Sequence, residues 1–410
     1  MKKKLYLIVD YCATSLITHH WSYILSYEEL LIKFKSNYEI LLPVYAEKDV
    51  VKIFSRNPLK LLKNSEYGPT LKSNFCLYFF NKIIEKTIEL MEKLKIPKSK
   101  VMIAKIVRFI YNIDVVNYIK KTSSGNDVVL IFPTCDRSAI DLIEYLIRKK
   151  IDVDRYCVRL IGAETRGMFA LGNETSKLMK LSESCEKIKI GYEIFKNVDK
   201  YLAEGFNRKS LYWCPIPKIR ADKYSNAALK KENEIKTVGF PGTAKQRKGF
   251  DHLPMIMRVI NDFDKTIAFK LQEAEYFWPE YKNTIEQISK IDVRCEIYPS
   301  KISSEDYLKF IESCDFIILP YDIKSYKNAG SAILFQASDY NVPLIVKKGL
   351  DIEEEINKYD LGRSFSTIDE IPEILSSLIL EENITYGFDK FTLQREELSK
   401  SFLNLEMKKE

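Results

Sequence analysis

"TVGFPGTAKQRKGFDHLPMIMRVI", residues 237–260, joins a short apolar run, a glycine-bounded basic loop and an apolar pattern with helical spacing. This order predicts a β-strand over Thr237–Phe240 that leads through the loop into a helix beginning near Asp251. Strand-to-helix units of this kind build α/β folds with mainly parallel sheets. The stretch therefore predicts the fold class of the chain around it.

The same alternation of short apolar runs and longer helical patterns occurs on both sides of this stretch. Helices are predicted around residues 21–34, over 138–148 and from Ser331 to about Asp339. The predicted strands are 5–9, 38–44, 128–132, 157–161 and 187–192 in the first half, and 237–240, 266–271, 294–298, 315–319 and 343–346 in the second.

The 410-residue length favours two or three domains, and the periodicity stops at only one place. There, two prolines flank Ile216 and a polar run extends to Lys236, as in a linker. We predict an N-terminal domain over 1–215, a linker over 216–236, a second domain over 237–390 and a C-terminal helix over 391–410 that packs back on the first domain. Ligands of open α/β sheets bind beyond the carboxyl ends of the strands, so a cleft between two such domains is the expected binding site.

Composition excludes several classes of protein. The hydrophobic fraction is 46% and the charged fraction 30%, and no stretch has the roughly 20 apolar residues of a membrane span. The apolar run after the first lysines is shorter than a signal-peptide core, which predicts a cytoplasmic protein. The net charge of +7 comes from lysines interspersed with acids, and no nucleic-acid-binding motif is present. Residues 75–113 suit either a helix on a sheet or peripheral contact with an anionic membrane.

Cysteine and histidine patterns give no metal site. The eight cysteines are scattered without CxxC spacing, which predicts reduced core thiols. HExxH, GxSxG and spaced Cys/His sets are absent. No metal and no cofactor is expected.

The loop after the first quoted strand is a candidate phosphate site. Gly242 and Thr243 open it, and Lys245, Arg247 and Lys248 supply cations next to the backbone N–H groups of a helix start. The loop has neither the GxGxxG dinucleotide pattern nor the Lys-Ser/Thr of a P-loop. A solvated basic turn is the alternative interpretation.

A second candidate lies in "SYKNAGSAILFQASDYNVPLIV", residues 325–346. Gly330 and Ser331 would stand at a helix start, where free N–H groups and the helix dipole favour an anion. Gln336 either binds a sugar hydroxyl or is structural, and Tyr321, just after a strand, either contacts ligand or forms a turn.

Polar residues of the first half also follow predicted strands. His19 and His20 lie between the first strand and the first helix, where they suit acceptor binding, general base catalysis or helix capping. Arg159, Glu164 and Arg166 lie at and just after another strand end, where contact with a ligand and surface ion pairing are both open.

The chain resembles bacterial glycosyltransferases of the GT-B fold, the retaining type that assembles surface polysaccharides. "GTAKQRKGFDHLP" (242–254) is similar to that family's glycine and Lys-Gly loop, and "FIILPYDIKSYKNAGSAILFQASDYNVPLIV" (316–346) to its LPY strand and the helix and strand that follow. "THHWSYILS" (18–26) is similar to a Gly-His loop of some members. The resemblance implies two Rossmann-like α/β/α domains facing across a cleft, the second for a nucleotide-sugar substrate and the first for a saccharide or lipid-linked acceptor.

The resemblance also implies roles for individual residues. Lys248 would neutralise the donor diphosphate and, with His20, carry catalysis, while Gln336 would hold the ribose. Fixed cations can stabilise the leaving diphosphate without a metal. The implied donor-binding residues are Gly242, Thr243, Arg247, Lys248, Tyr321, Tyr326, Gly330, Ser331 and Gln336, and the implied acceptor-side residues are His19, His20 and Glu164.

Three departures from the family pattern keep other functions open. Thr243 replaces an arginine, Ala329 replaces a basic residue, and Asn328 and Gln336 replace two glutamates. A non-catalytic glycosyltransferase-like binding subunit is one alternative to an active enzyme. A nucleotide-sugar epimerase, which shares the two-domain architecture, is another.

Overall fold

A computed structural model describes most of the chain. The described residues are 2–11, 20–43, 46, 48, 52, 54, 58–62, 86, 113–160, 173–218, 235–274, 279–300, 302–326, 331–380 and 385–405.

The chain divides into two compact units. The first unit comprises Met1–Gly191, Tyr201–Tyr212 and Lys400–Glu410, and the second comprises Tyr192–Lys200 and Trp213–Ser399. Because both units take in more than one segment, neither corresponds to a single continuous stretch of sequence.

The first sheet has seven strands in the order β3-β2-β1-β4-β5-β6-β7. The pairs from β3 to β5 are parallel. Its central strands are apolar on both faces, as expected of a parallel sheet covered by helices. The strands are β1 (Lys3–Val9), β2 (Asn37–Pro43), β3 (Leu59–Leu62), β4 (Asn126–Phe132), β5 (Arg155–Leu160), β6 (Ile188–Tyr192) and β7 (Leu211–Trp213).

The second sheet has six strands, all paired in parallel, in the order β10-β9-β8-β11-β12-β13. Its order reverses direction at β8 and β11, which places a topological switch point between these two central strands. The strands are β8 (Thr237–Phe240), β9 (Ala268–Gln272), β10 (Cys295–Tyr298), β11 (Phe316–Leu319), β12 (Leu344–Lys347) and β13 (Gly362–Phe365).

Helices follow most of the strands. In the described parts of the chain they are α1 (His20–Lys33), α2 (Arg137–Arg148), α3 (Asn173–Ser184), α4 (Asn197–Ala203), α5 (Leu253–Phe263), α6 (Pro279–Ile288), α7 (Ser304–Glu312), α8 (Ile323–Tyr326), α9 (Ala332–Asp339), α10 (Glu353–Tyr359), α11 (Ile371–Leu380) and α12 (Thr385–Leu403). Residues 113–123 are also helical. None of these described helices is long and apolar enough to cross a membrane.

The stretch that predicted the fold forms the centre of the second unit. β8 is buried from Val238 to Phe240, and α5 presents Ile256 and Met257 to the same core. The helix begins slightly later than predicted, because Phe250–His252 form a short 3-10 turn before the α-helix proper. The other predicted strands also occur, within two residues of their predicted ends where those residues are described. The predicted α/β class with parallel sheets is therefore confirmed.

The C-terminal helix α12 belongs to both units. It begins at Thr385, six residues before the predicted start, and its residues from Lys400 onward belong to the first unit. There the Phe402 carbonyl oxygen accepts hydrogen bonds from Arg155 Nη1 at 3.1 Å and Cys157 Sγ at 3.4 Å. The chain thus returns to the first unit at its C-terminal end.

Candidate functional site

The loop after β8, residues 242–249, is shaped by two glycines and is called the lysine loop here. Gly242 has a φ of 88° and Gly249 a φ of 71°, in the left-handed region that favours glycine. A Cβ at Gly242 would overlap the Nζ atom of Lys248, and a Cβ at Gly249 would overlap the carbonyl oxygen of Pro320. Glycine at both positions lets the loop fold back on itself and onto the end of β11.

The segment after β11, residues 320–326, is in direct contact with the lysine loop and is called the tyrosine segment here. The Asp322 backbone N–H donates to the Arg247 carbonyl oxygen at 3.0 Å. The Arg247 guanidinium lies 5.8 Å from the centre of the Tyr326 ring, within cation–π range. The carboxyl ends of two neighbouring strands therefore bring together two segments that the sequence analysis singled out separately.

A small recess, partly open to solvent, lies between these two segments. Most of its lining is apolar: Phe240, Ala244, Phe250, Leu253, Ile318 and Pro320. Gly242, Lys248 and Tyr321 also line it, and among the lining residues Lys248 carries the only charged group. The pocket is an apolar recess with a single amine and a phenol.

The Lys248 amine has no acidic partner in the described parts of the chain. Its pKa is lowered from the usual 10.5 to about 7, mainly by burial and to a smaller extent by the neighbouring cations Lys245 and Arg247. The residue as a whole is half-buried, and its amine end lies against Gly242 inside the pocket. Such a group gains from a bound anion, which would stabilise its charged form.

The tyrosine segment carries hydroxyl groups next to the start of α9. The rings of Tyr321 and Tyr326 stack with their centres 4.2 Å apart, and the Tyr321 hydroxyl hydrogen-bonds with the Ser331 side chain. Ser331 is the N-cap of α9 but makes no side-chain capping bond. Burial raises the pKa of Tyr321 and Tyr326, so both phenols stay protonated and can donate near neutral pH.

Gln336 lies on α9, away from the pocket lining. Its Oε1 atom is buried and has no hydrogen-bond partner in the described structure, so this acceptor is unsatisfied. Thr243 is half-buried at the start of the lysine loop and is likewise not among the lining residues. The structure therefore brings Gly242, Lys248 and Tyr321 into one pocket, with Arg247, Tyr326 and Ser331 in contact with its edge.

Tyr307 is a polar residue of this region that the sequence analysis missed. It lies on α7, and a Cβ built at Gly242 would be 4.0 Å from its hydroxyl oxygen. Burial, with smaller contributions from Cys314 and Tyr326, raises its pKa. A tyrosine within an amphipathic helical pattern indicates packing, so sequence alone gave no signal for this position.

Several predicted site residues lie outside the described parts of the chain. Gly330, His19 and Glu164 lie outside the described residues, as do Asn328, Ala329 and Arg166. His20 is the first residue of α1.

Arg159 is fully buried, so it does not form an ion pair at the surface. It donates from Nη1 to the Pro133 carbonyl oxygen at 3.1 Å and lies 4.8 Å from the centre of the Tyr23 ring.

Thiols and metal-binding groups are not part of the pocket. The cysteines 135, 157, 185, 214, 295 and 314 are free, and four of them are buried. Within the described ranges, no cluster of three or more His, Cys, Asp or Glu side chains could hold a metal ion.

Comparison with known proteins gives similarity of structure only. No protein-family model and no curated protein matches the sequence. Among solved structures, Anabaena HepE in complex with UDP-glucose is similar with a TM-score of 0.60 and 10% identity, covering 98% of both chains. A glycosyltransferase from Rickettsia africae is similar with a TM-score of 0.58 and 12% identity, and the match covers 98% of this chain and 96% of the other. A UDP-N-acetylglucosamine 2-epimerase is similar with a TM-score of 0.53 and 11% identity, and the match covers 98% of this chain and 95% of the other.

These similarities extend over nearly the whole chain and agree with the two parallel sheets. The fold is that of the GT-B class, with two Rossmann-like α/β units in one polypeptide. The predicted fold is confirmed.

Proposed function

We propose that the protein is a glycosyltransferase of the retaining, surface-polysaccharide type, which moves a sugar from a nucleotide-sugar donor to a saccharide or lipid-linked acceptor. The observation that carries this proposal is the Lys248 amine, which lies without an acidic partner in a pocket at the carboxyl ends of β8 and β11. An amine in these surroundings suits a diphosphate. The structural similarity to HepE, which is known in complex with UDP-glucose, supports a nucleotide-sugar as the ligand.

The chemistry of the transfer fits these groups. The bond between the anomeric carbon and the diphosphate oxygen breaks, and the acceptor hydroxyl forms the new bond and loses its proton. Negative charge grows on the departing diphosphate, where Lys248 and Arg247 can stabilise it without a metal. Ser331 and the free N–H groups at the start of α9 would hold the same anion.

The acceptor side of the proposal rests on the resemblance alone. His20 is proposed as the group that takes the acceptor proton, with His19 and Glu164 as further contacts. A lipid-linked acceptor would require the protein to work at the cytoplasmic face of a membrane, bound there peripherally.

The proposal is tested by assaying sugar transfer with a panel of UDP- and GDP-sugars in wild type, Lys248→Ala and Lys248→Arg. We expect Lys248→Ala to lower kcat by about 100-fold or more, since it removes a charge aimed at the leaving group. Lys265→Ala, which removes an exposed lysine after α5, is the matched control and keeps full activity. Full activity in Lys248→Ala would refute the proposed role of the pocket.

An epimerase is the second candidate, because a UDP-N-acetylglucosamine 2-epimerase has a similar structure over 98% of this chain. The two activities differ in their need for an acceptor. Formation of an altered sugar from a UDP-sugar alone, with no acceptor present, identifies the epimerase. A protein that binds UDP and catalyses neither reaction is the non-catalytic subunit.

A further inference from the structure

Tyr307 is held rigidly by the packing of α7. Its backbone N–H donates to the carbonyl oxygen of Ser303 at 2.9 Å, and the Ser303 hydroxyl oxygen caps the helix by accepting from Asp306 N at 3.0 Å. The following residues Phe310 and Ile311 are buried in the second unit. The direction in which Tyr307 leaves the helix is therefore fixed by the fold.

The hydroxyl of Tyr307 ends beside the lysine loop. Lys248 Nζ fills the space in front of Gly242 that a methyl group would need, and the Tyr307 oxygen lies 4.0 Å from the position of that methyl carbon. The amine and the phenol are therefore neighbours, and because the oxygens of one phosphate point in several directions, a single phosphate beside both groups can accept from the amine and from the phenol at once. Tyr307 is half-buried, and its hydroxyl makes no hydrogen bond to any described residue.

The charges around this hydroxyl favour an anion. The elevated pKa keeps the phenol protonated, so near neutral pH it is a hydrogen-bond donor. The two acids in the first turn of α7 are engaged elsewhere: Asp306 accepts from the Ser303 hydroxyl at 2.6 Å, and Glu305 pairs with Lys309 at 2.6 Å. Both acids are exposed, and none of the described carboxylates pairs with the nearby Lys248.

We propose that the Tyr307 hydroxyl is a positioning contact of the donor, which donates a hydrogen bond to the same phosphate group that pairs with Lys248. This inference rests on the proposed function, since it names one more group that binds the nucleotide-sugar diphosphate. It assigns to α7 a part in a site otherwise built from the lysine loop and the tyrosine segment.

The test compares wild type, Tyr307→Phe and the control Tyr298→Phe by titration calorimetry with UDP, uridine and inorganic pyrophosphate. Tyr298 loses a hydroxyl of the same kind, but one that bonds with Glu296. A hydrogen bond to a charged group corresponds to roughly 10- to 100-fold in affinity. We expect Tyr307→Phe to weaken the binding of UDP and of pyrophosphate by at least about tenfold. The affinity for uridine and the melting temperature of the unliganded protein should not change.

The outcomes separate the two proposals. If wild type binds UDP and Tyr307→Phe binds it equally well, the role of Tyr307 is refuted and the proposed function stands. Equal loss of affinity for UDP and for uridine would also refute the role of Tyr307, because the hydroxyl would then affect binding of the nucleoside or folding of the protein. If wild type binds neither UDP nor pyrophosphate, the proposed function fails, and the inference about Tyr307 fails with it.

Discussion

The Lys248 amine occupies the space beside Gly242 that any side chain at position 242 would need. Glycine is needed at position 242 for a second reason as well, because its φ of 88° is unfavourable for other residues. The conformation of the loop and the position of its cation are thus determined by the same residue.

Gly242→Ala is expected to displace the Lys248 amine from the pocket and to weaken UDP binding by about tenfold or more, as loss of a charged contact does. The strained backbone should also cost roughly 1–3 kcal/mol of stability. Calorimetry and thermal unfolding measure the two effects. Gly125→Ala is the control, since a Cβ there meets nothing within 4 Å. Unchanged UDP affinity in Gly242→Ala would contradict the packing of lysine on glycine.

The affinity for UDP is expected to fall as the pH rises above 7. The free Lys248 amine, with its pKa near 7, loses its proton in this range, and a bound anion has to restore it. Above pH 7.5 the phosphate itself, with a pKa of about 6, no longer changes charge. The neighbouring phenols Tyr307, Tyr321 and Tyr326 stay protonated because their pKa values are raised.

The measurement is calorimetry between pH 7.5 and 8.5 in two buffers of different ionisation enthalpy. We expect the affinity for UDP to fall by up to about tenfold as the pH rises from 7.5 to 8.5, and we expect the protein to take up a proton when UDP binds. Lys248→Arg is the control, because a guanidinium stays charged and should remove the pH dependence. A wild-type affinity that does not change with pH would show that Lys248 is already charged in the free protein.

Arg395 and Asp339 form a fully desolvated ion pair within the second unit. Arg395 Nη1 donates to Asp339 Oδ1 at 2.8 Å, and its Nε donates to the Ile216 carbonyl oxygen at 2.6 Å. Arg395→Met leaves a buried carboxylate and should destabilise the protein by about 3–5 kcal/mol, measured by urea unfolding. Arg395→Met combined with Asp339→Leu should recover most of this loss.

Arg363→Met provides the comparison for this pair. It breaks the partly exposed pair with Asp360 and should cost no more than about 1 kcal/mol. Equal losses in Arg395→Met and Arg363→Met would mean that burial adds nothing to the pair of Arg395 and Asp339.

Glu355 gives the second unit a pH-dependent stability. Burial raises its pKa from the usual 4.5 to about 8, although its Oε1 accepts from the Phe195 N–H at 2.5 Å. Between pH 5 and 8 the folded state holds a proton that the unfolded chain has lost, so stability falls as the pH rises. Glu355→Gln keeps the hydrogen bond and should raise the melting temperature at pH 8 by several degrees.

The control for Glu355 is Glu354→Gln, an exposed charge on the same helix, which should change the pH profile only slightly, because Glu354 raises the pKa of Glu355 much less than burial does. At pH 5 all three proteins should melt at about the same temperature. A Glu355→Gln profile that parallels wild type from pH 5 to 8 would show that this carboxyl is ionised in the fold.

Most of the fold could be predicted because its central strands are local apolar runs. β8, β11 and β12 are buried throughout or nearly so, and their short apolar sequences are typical of buried parallel strands. β3 and β13 were missed because a lysine, or an arginine and a serine, interrupts their short sequences, whereas the equally short β11 is apolar throughout; β7 was missed because it has only three residues. β13 is also an edge strand with Arg363 and Ser364 at its centre, so its only signal is its pairing with β12.

The candidate site was predicted in part. The lysine loop could be recognised because glycines and cations follow a strand within a few residues, which is a local pattern. Its contact with the tyrosine segment followed from the general position of ligands at strand ends. The roles given to the site residues, Lys248, Gln336, His20 and Thr243 among them, stay predictions.

By itself the sequence determined the parallel α/β class, the positions of most strands and the basic loop, because these depend on neighbouring residues along the chain. Tertiary structure alone decided that the Lys248 amine lies among apolar side chains, that Tyr307 borders the same space, and that Arg395 pairs with a residue 56 positions away. The physical reason is that burial, pKa and pairing are set by atoms brought together from distant segments, whose approach no local pattern records.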